Sequence, residues 1–244
     1  MFDLHGRTAL VTGAGQGIGA GIAAALSAQG AAVAVNDLVP DRAEAVAAGI
    51  AGAGGRAMAV PADVTDLDAV TRIVGDVESA LGPVDVLVNN AGIPPGFVPT
   101  PFHDLPVAEW DKFIRLNLYG ILYGTKAVVD GMCERGWGRI VTISSDAARV
   151  GLPSGIALYG AGKAGAVGFS RHLAMELQGS GVTVNCLTLG LMARDEHDAR
   201  RPPRPTTRLG RPDDVGAAVC WLASNEAEWV TGQTIAVNGG VNTT

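Results

Sequence analysis

Apolar runs of strand length recur along the chain, with longer mixed stretches between them. TALVT (8–12), AAVAVND (31–37), RAMAVPA (56–62), VDVLVNN (84–90), GRIVTIS (138–144), VTVNCLTL (182–189) and QTIAVNG (233–239) predict seven strands. Their Val, Ile, Leu and Ala content is near-continuous rather than alternating. That pattern suits strands covered on both faces, as in a parallel sheet between helical layers. Helix-like stretches fill the intervals near 17–29, 41–53, 66–81, 107–135, 157–179 and 212–224. Asp66 and Asp213 stand where acidic or capping residues open a helix. Strict β–α alternation predicts a doubly wound α/β fold with right-handed crossovers and helices on both faces of a seven-stranded parallel sheet. With no linker and no break in composition, residues 1–244 are expected to form one domain.

Two segments fall outside this alternation. GIPPGFVPTPFHDLP (92–106) follows the fourth strand and GLMARDEHDARRPPRPTTRLG (190–210) the sixth. Both are expected at the carboxyl ends of strands, where open α/β sheets bind ligands, and are read as the substrate side. The second carries Arg194, Arg200, Arg201, Arg204, Arg208 and, just beyond, Arg211, interleaved with Pro202, Pro203 and Pro205. Such a tract can guide an anionic substrate. Asp195, Glu196 and Asp198 offset much of its charge, so a merely solvated lid is the competing reading.

Composition excludes several classes of function. A net charge of −6 argues against nucleic-acid binding. The most apolar stretch, GIAAALSAQGAAVAV, is broken by Ser, Gln and Gly, and MFDLHGRTAL lacks the apolar core of a signal peptide, so no membrane partner is expected. Cys133, Cys186 and Cys220 are odd in number, widely spaced and without CxxC spacing. No disulfide framework and no metal site are expected, and a reducing cytoplasm is.

Candidate chemistry begins at TALVTGAGQGIGAGIAAAL, a strand, a turn containing Gly13, Gly15, Gly17 and Gly19, and a helix. Glycine lets the backbone turn sharply and approach a pyrophosphate, whose charge the helix N-terminus meets. Glycines alone also serve tight β–α packing; here Asp37, at the end of the second strand, completes a dinucleotide-binding context. A carboxylate there accepts from both ribose hydroxyls of NAD and repels the extra phosphate of NADP, so NAD is favoured. The second candidate is LYGAGKAG (158–165), which sets one of only three tyrosines four residues before a lysine. On a helix Tyr159 and Lys163 share a face. A chance surface pair is the bland alternative.

TGAGQGIG (12–19), NNAG (89–92), Asn117, Ser144–Ser145 and YGAGK (159–163), in this order, resemble the short-chain dehydrogenase/reductase family in its compact single-domain, Rossmann-fold form. The resemblance runs through RLGRPDDVGAAVCWLAS to the closing VTGQTIAVNGG. It implies Tyr159 as acid/base, Lys163 as its activator and a ligand of the nicotinamide ribose, Ser145 as donor to the substrate oxygen, and Asn117 as holder of a proton-relay water. It implies a cofactor crevice of Gly13, Gly15, Gln16, Gly17, Ile18, Gly19, Asp37, Asn89, Ala91 and Gly92. Asp63 and Val64 would lie against adenine and Thr188 near the nicotinamide amide. It further implies a small alcohol or ketone substrate, and a homodimer or homotetramer paired through the helices near 107–135 and 157–179, with Val167, Leu173 and Leu177 as a candidate stripe. Members with 3-oxoacyl thioester substrates and NADPH share the architecture, and SSDAARVG is similar to the loop of members acting on hydroxyacyl-CoA. A non-catalytic dinucleotide-binding protein on this fold is the alternative of another class.

The chemistry makes its own demand. Hydride transfer to a ketone leaves an alkoxide, which needs a proton donor within hydrogen-bond reach. A phenol of pKa about 10 must shift by ~3 units, or ~4 kcal/mol, to act as base at neutrality. One cation at ~4 Å and an effective dielectric of ~20 supplies about that much, so Lys163 is expected to lower the Tyr159 pKa. Three departures from the family pattern stand out: the Ser145–Tyr159 loop is one residue longer, which leaves Ser144 as a fallback; Leu189–Gly190 replaces Pro-Gly; and the segment up to RLG (208–210) is short, which predicts an open pocket.

Overall fold

The computed structural model describes residues 1–193, 198, 200 and 207–243. They form one parallel sheet of β1 (Thr8–Val11), β2 (Ala32–Val35), β3 (Ala57–Ala59), β4 (Val84–Asn89), β5 (Gly138–Ser145), β6 (Val182–Leu189) and β7 (Thr234–Val237). The spatial order is β3-β2-β1-β4-β5-β6-β7. Val11 stands in register with Val35 on one side and Val88 on the other. The order reverses between β1 and β4, which opens a crevice at their carboxyl ends.

Alternate residues of each central strand feed opposite layers. Ala9 and Val11 pack with Ile22, Leu26, Ala43, Val215 and Val219 of α1 (Gly17–Ala28), α2 (Pro40–Gly52) and α7 (Pro212–Ala223). Leu10 and Leu87 pack on the other face with Ile73, Val77, Val128, Met132 and Ala174, from α3 (Leu67–Leu81), α5 (Gly120–Glu134) and α6 (Ala157–Glu176). Burying each Val, Leu or Ile contributes roughly 1.5–3 kcal/mol, so both faces demand apolar residues and the runs read as continuous. The edge strands β3 and β7 are shorter than expected and only partly covered, each lacking a neighbour on one side.

Helix starts follow the expected chemistry with one change. Asp66 caps α3 by accepting from the amides of Asp68 and Ala69 at 2.9 and 3.1 Å. At α7, Asp213 stands in the acidic first turn as expected, while the bond back to the Arg211 amide, at 2.8 Å, is accepted by Asp214 Oδ2. The stretch expected as one helix near 107–135 is interrupted. A 3-10 turn (Val107–Glu109) leads into α4 (Trp110–Ile114), then a π-helical turn (Arg115–Tyr119), then α5. Asn117 lies inside the π turn.

The loop at 92–106 emerges at the carboxyl end of β4, as expected, and is tied to the β5–α6 loop by a bond from the Thr100 amide to the Gly155 carbonyl at 2.9 Å. Cys186 and Cys220 are buried, Cys133 half-buried, and all three are free. Among the described residues no cluster of His, Cys, Asp or Glu is arranged to hold a metal. No helix among them is long and apolar enough to cross a membrane.

Candidate active site

The glycine turn is braced from β4. Gly13 and Gly17 adopt left-handed φ of +60° and +53°, and a Cβ on Gly13 would come 2.8 Å from the Ala91 Cα. Thr12 Oγ1 accepts from the amides of Asn90 and Ala91 at 3.0 and 3.2 Å. The Asn90 side chain returns two bonds of 2.9 Å, to the carbonyls of Thr12 and Gly13. Sequence reasoning did not single out Thr12 and Asn90, although both lie inside the motifs it quoted. No side chain caps α1 at Gln16. The first-turn amides of Gly17, Ile18 and Gly19 are therefore free of side-chain acceptors, a cradle suited to a phosphate.

At the rim of this turn Asp37 is buried. Its Oδ2 accepts from the Gly15 amide and its Oδ1 from the Val39 amide, both at 3.0 Å. Arg42, absent from the sequence expectations, lies against the same spot: a Cβ on Gly15 would meet the Arg42 Cβ at 2.6 Å. Asp63 holds Thr65 through two 2.8 Å bonds near the surface, while Val64 is buried against Gly120. The Asn89 side chain turns toward α5, at 3.4 Å from Thr125 Oγ1. Thr188 is fully buried, and its hydroxyl has no partner.

The catalytic candidates meet where β4, β5, α6 and the π turn converge. The Ser145 hydroxyl accepts from the Ala147 amide at 3.2 Å, and it acts to lower the pKa of the Tyr159 phenol. Ser144, the fallback, is buried and donates to the Lys163 carbonyl at 3.3 Å. Lys163 is 3% exposed, and its ammonium donates to the Ile143 carbonyl at 2.7 Å. Asn117 donates to the Phe113 carbonyl at 3.1 Å and leaves Oδ1 without a partner. A Cβ on Gly92 would stand 2.5 Å from Lys163 Nζ and 2.9 Å from Asn117 Oδ1. A Cβ on Gly162 would stand 2.8 Å from the Asn117 Cβ, so the small residues of YGAGK let α6 approach the π turn.

Electrostatics here depart from the expectation. Burial pushes the Tyr159 phenol up from its usual value, and the Ser145 hydroxyl opposes this only in part. Lys163 sits 5.8 Å from the Tyr159 ring centroid and is itself desolvated, its pKa lowered to about 8, with Cys186 acting the other way. A cation that has lost its own hydration and is held by a carbonyl does not outweigh the burial of the phenol. Phe97, from the 92–106 loop, covers the site, its ring 6.1 Å from Tyr159 and 5.8 Å from Phe113.

Asn117 Oδ1 and Thr188 Oγ1 are the two buried side-chain polar atoms left without a partner among the described residues. Each such atom costs roughly 1–3 kcal/mol, and both lie on elements that frame the crevice. Open acceptors, an uncapped helix start and a glycine cradle fit a dinucleotide with a polar amide at its far end.

Tyr159 lines a narrow cleft with Val98, Phe102, Leu105, Phe113 and Ile156. A larger cavity of about 650 Å³, bordered by Phe102, Arg149, Leu152 and Ala161, does not include the reacting groups. Of the two, only the narrow cleft gives access to the Tyr159 side chain.

The arginine tract is largely engaged where it is described. Arg200 pairs with Asp198, Nε to Oδ1 at 2.9 Å, and donates to the Met192 carbonyl at 2.6 Å. Arg208 forms a two-pronged pair with Asp214 at 2.6 and 2.7 Å. Arg194, Arg201, Arg204, Asp195, Glu196 and the three prolines lie outside the described residues.

A family model described as enoyl-(acyl carrier protein) reductase matches residues 13–242. A short-chain type dehydrogenase/reductase from Mycobacterium marinum superposes with a TM-score of 0.92 at 33% identity, over 100% of this chain and 98% of that one. The protein belongs to the short-chain dehydrogenase/reductase family. As a member, this dehydrogenase/reductase is an oxidoreductase of a family that binds nicotinamide dinucleotides. Among its relatives are a D-threitol dehydrogenase of Mycolicibacterium smegmatis, 39% identical over 98% of this chain and 94% of that one, and a 3-oxoacyl-[acyl-carrier-protein] reductase of Synechocystis, 40% identical over 99% of both. At nearly equal identity the two names describe different substrates, so likeness alone does not choose between them.

Proposed function

We propose that the protein interconverts a secondary alcohol and a ketone, with NAD as its cofactor. The grouping of Ser145, Tyr159, Lys163 and Asn117, the first two half-buried and the last two buried, carries this reading. In the oxidative direction the Tyr159 phenolate accepts the alcohol proton while Ser145 donates to the substrate oxygen and fixes it; in reduction Tyr159 returns the proton. Bound nicotinamide supplies the hydride acceptor or donor, and its positive charge when oxidised adds to that of Lys163 in lowering the phenol pKa. The open Oδ1 of Asn117, beside the Lys163 ammonium, is suited to hold a water that passes the proton to solvent. A protein that only bound a dinucleotide would have no need of this group.

Asp37 supports NAD. Its carboxylate is already fixed by Gly15 and Val39, and each oxygen retains a lone pair for a ribose hydroxyl. Asp37→Asn keeps an acceptor and removes the charge. It is expected to narrow the ratio of kcat/KM for NAD⁺ over NADP⁺ by about tenfold, equivalent to ~1.4 kcal/mol. Higher kcat/KM with NADP⁺ than with NAD⁺ in the unmodified protein would defeat the assignment and favour the reductive 3-oxoacyl thioester reading, which the Synechocystis relative's name suggests.

The loop at 92–106 lies on the substrate side in this reading, with Val98 and Phe102 giving the cleft an apolar wall. A panel of hydroxyacyl-CoAs, cyclic alcohols, polyols and steroids with NAD⁺, followed by NADH absorbance, tests the function; no turnover with any secondary alcohol would sink it. For assembly we favour a homodimer or homotetramer. Val167 is buried and Leu173 and Leu177 pack on the core, so that stripe faces inward. Tyr119 and Met175 on the outer faces of the two long helical segments, and Trp229, 97% exposed near β7, offer the apolar surface instead. Three free cysteines accord with a cytoplasmic setting.

A further inference from the structure

Asp146 follows Ser145 directly and opens a 3-10 turn, Asp146–Ala148, at the carboxyl end of β5. Its carboxylate is buried, yet among the described residues no Lys or Arg pairs with it. It is held by neutral amides from the segment after β7. Asn242 donates to Oδ2 at 2.7 Å, and Asn238 donates to Oδ2 at 3.1 Å and Oδ1 at 3.3 Å. Asn238 is itself fixed. Its Nδ2 reaches the Asn242 carbonyl at 3.1 Å, its Oδ1 accepts from the Gly240 amide at 3.0 Å, and a Cβ on Gly190 would come 2.8 Å from the Asn238 Cβ. The segment after β7 is thereby wedged between the ends of β5 and β6.

The same turn touches both catalytic candidates. The Asp146 carbonyl accepts from the amides of Arg149 and Val150, each at 2.9 Å, which closes the turn. The Ala147 amide then donates to Ser145 Oγ, and the Ala147 carbonyl lies 3.0 Å from where a Cβ on Gly160, the neighbour of Tyr159, would stand. A buried carboxylate is disfavoured unless its lone pairs are filled, and bonds to an ionised acceptor are shorter and stiffer than neutral ones. Rotation of this turn would move Ser145 Oγ relative to the phenol, and small misplacements of a reacting group cost rate steeply.

We propose that Asp146 is a positioning residue: by clamping Asn238 and Asn242 it fixes the turn that orients the Ser145 hydroxyl toward Tyr159. The proposal rests on the reading of Ser145 as donor to the substrate oxygen. Asp146→Asn turns an amide donor toward the two asparagine amides and should lower kcat about tenfold. NADH affinity, by fluorescence titration, and the thermal midpoint should stay near the unmodified values. The swap Asp146→Asn with Asn238→Asp restores a carboxylate–amide pair, with the relocated carboxylate still accepting from the Gly240 amide, and should recover most of kcat. Asn242→Ala removes only the shortest bond and should give a smaller fall of the same kind, even if Asp146→Asn does not fold. In a Ser145→Ala background, Asp146→Asn should cause no further loss of residual kcat, because both act through one hydroxyl.

Unchanged kcat in Asp146→Asn, additive losses with Ser145→Ala, or no recovery in the swapped pair would each overturn the clamp. Parallel loss of NADH affinity and thermal midpoint would overturn it too, by reducing Asp146 to a fold support. Full turnover by Ser145→Ala alone would instead remove the catalytic reading beneath it, which separates the two failures.

Discussion

Tyr159→Phe is expected to lower kcat by ~10²–10⁴-fold while NADH affinity changes little. The substitution keeps the ring, and with it the contact to Phe97 at 6.1 Å and the wall of the cleft. It removes only the hydroxyl, the group proposed to pass the proton. Because burial raises the phenol pKa, the unmodified enzyme should gain oxidative activity as pH rises above neutrality. A Tyr159→Phe enzyme with near-normal kcat would refute the acid/base assignment.

Lys163→Met should be damaged in both binding and chemistry, with turnover down by ~10²-fold or more and residual activity shifted to higher pH. The thioether matches the length of the side chain but leaves the Ile143 carbonyl without its 2.7 Å donor. A second effect runs the other way. Burial lowers the Lys163 pKa to about 8, below the unfolded value of ~10.4, so the unfolded chain binds this proton more tightly. The stability linked to this group is therefore fully present above ~10.4 and lost as pH falls through about 8. At pH 7 the charged form is a net cost to the fold. Lys163→Met should raise the thermal midpoint of the cofactor-free protein at pH 7 and flatten the gain in stability seen between pH 8 and 10. The expected increment is on the order of 1–3 kcal/mol, held down by the orphaned Ile143 carbonyl. A less stable, pH-insensitive variant would show that the ammonium supports the fold rather than opposing it.

The central strands were legible because burial on both faces leaves little choice of residue: Leu10 and Val11 serve opposite layers, and both must be apolar. The edge strands read longer than they are, since apolar flanks at 56–62 and 233–239 do not reveal the lack of a neighbour. The glycine turn and the Tyr159–Lys163 face were legible because backbone approach and helical spacing are local. The interruption at Arg115–Tyr119 was not, as neither Pro nor Gly marks it and helical periodicity tolerates it. The direction of the Tyr159 shift was missed for a related reason: spacing shows that a cation is near, but desolvation depends on the whole enclosure. Arg42 beside Gly15, Phe97 over Tyr159 and the Asp146 partners all join residues distant in sequence, which no local pattern displays.

The π turn separates the requirements of folding from those of function. Relative to an ordinary α-helix it carries one surplus residue, and each residue turns a helix by about 100°. Loss of a single residue between 115 and 119 would let α4 run straight into α5 with its flanks still in phase and every strand undisturbed. The asparagine, however, would be carried off the crevice. In the proposed mechanism such a deletion takes away the water-holding amide while leaving the sheet and the glycine turn in place, so the fold tolerates a loss that the chemistry does not.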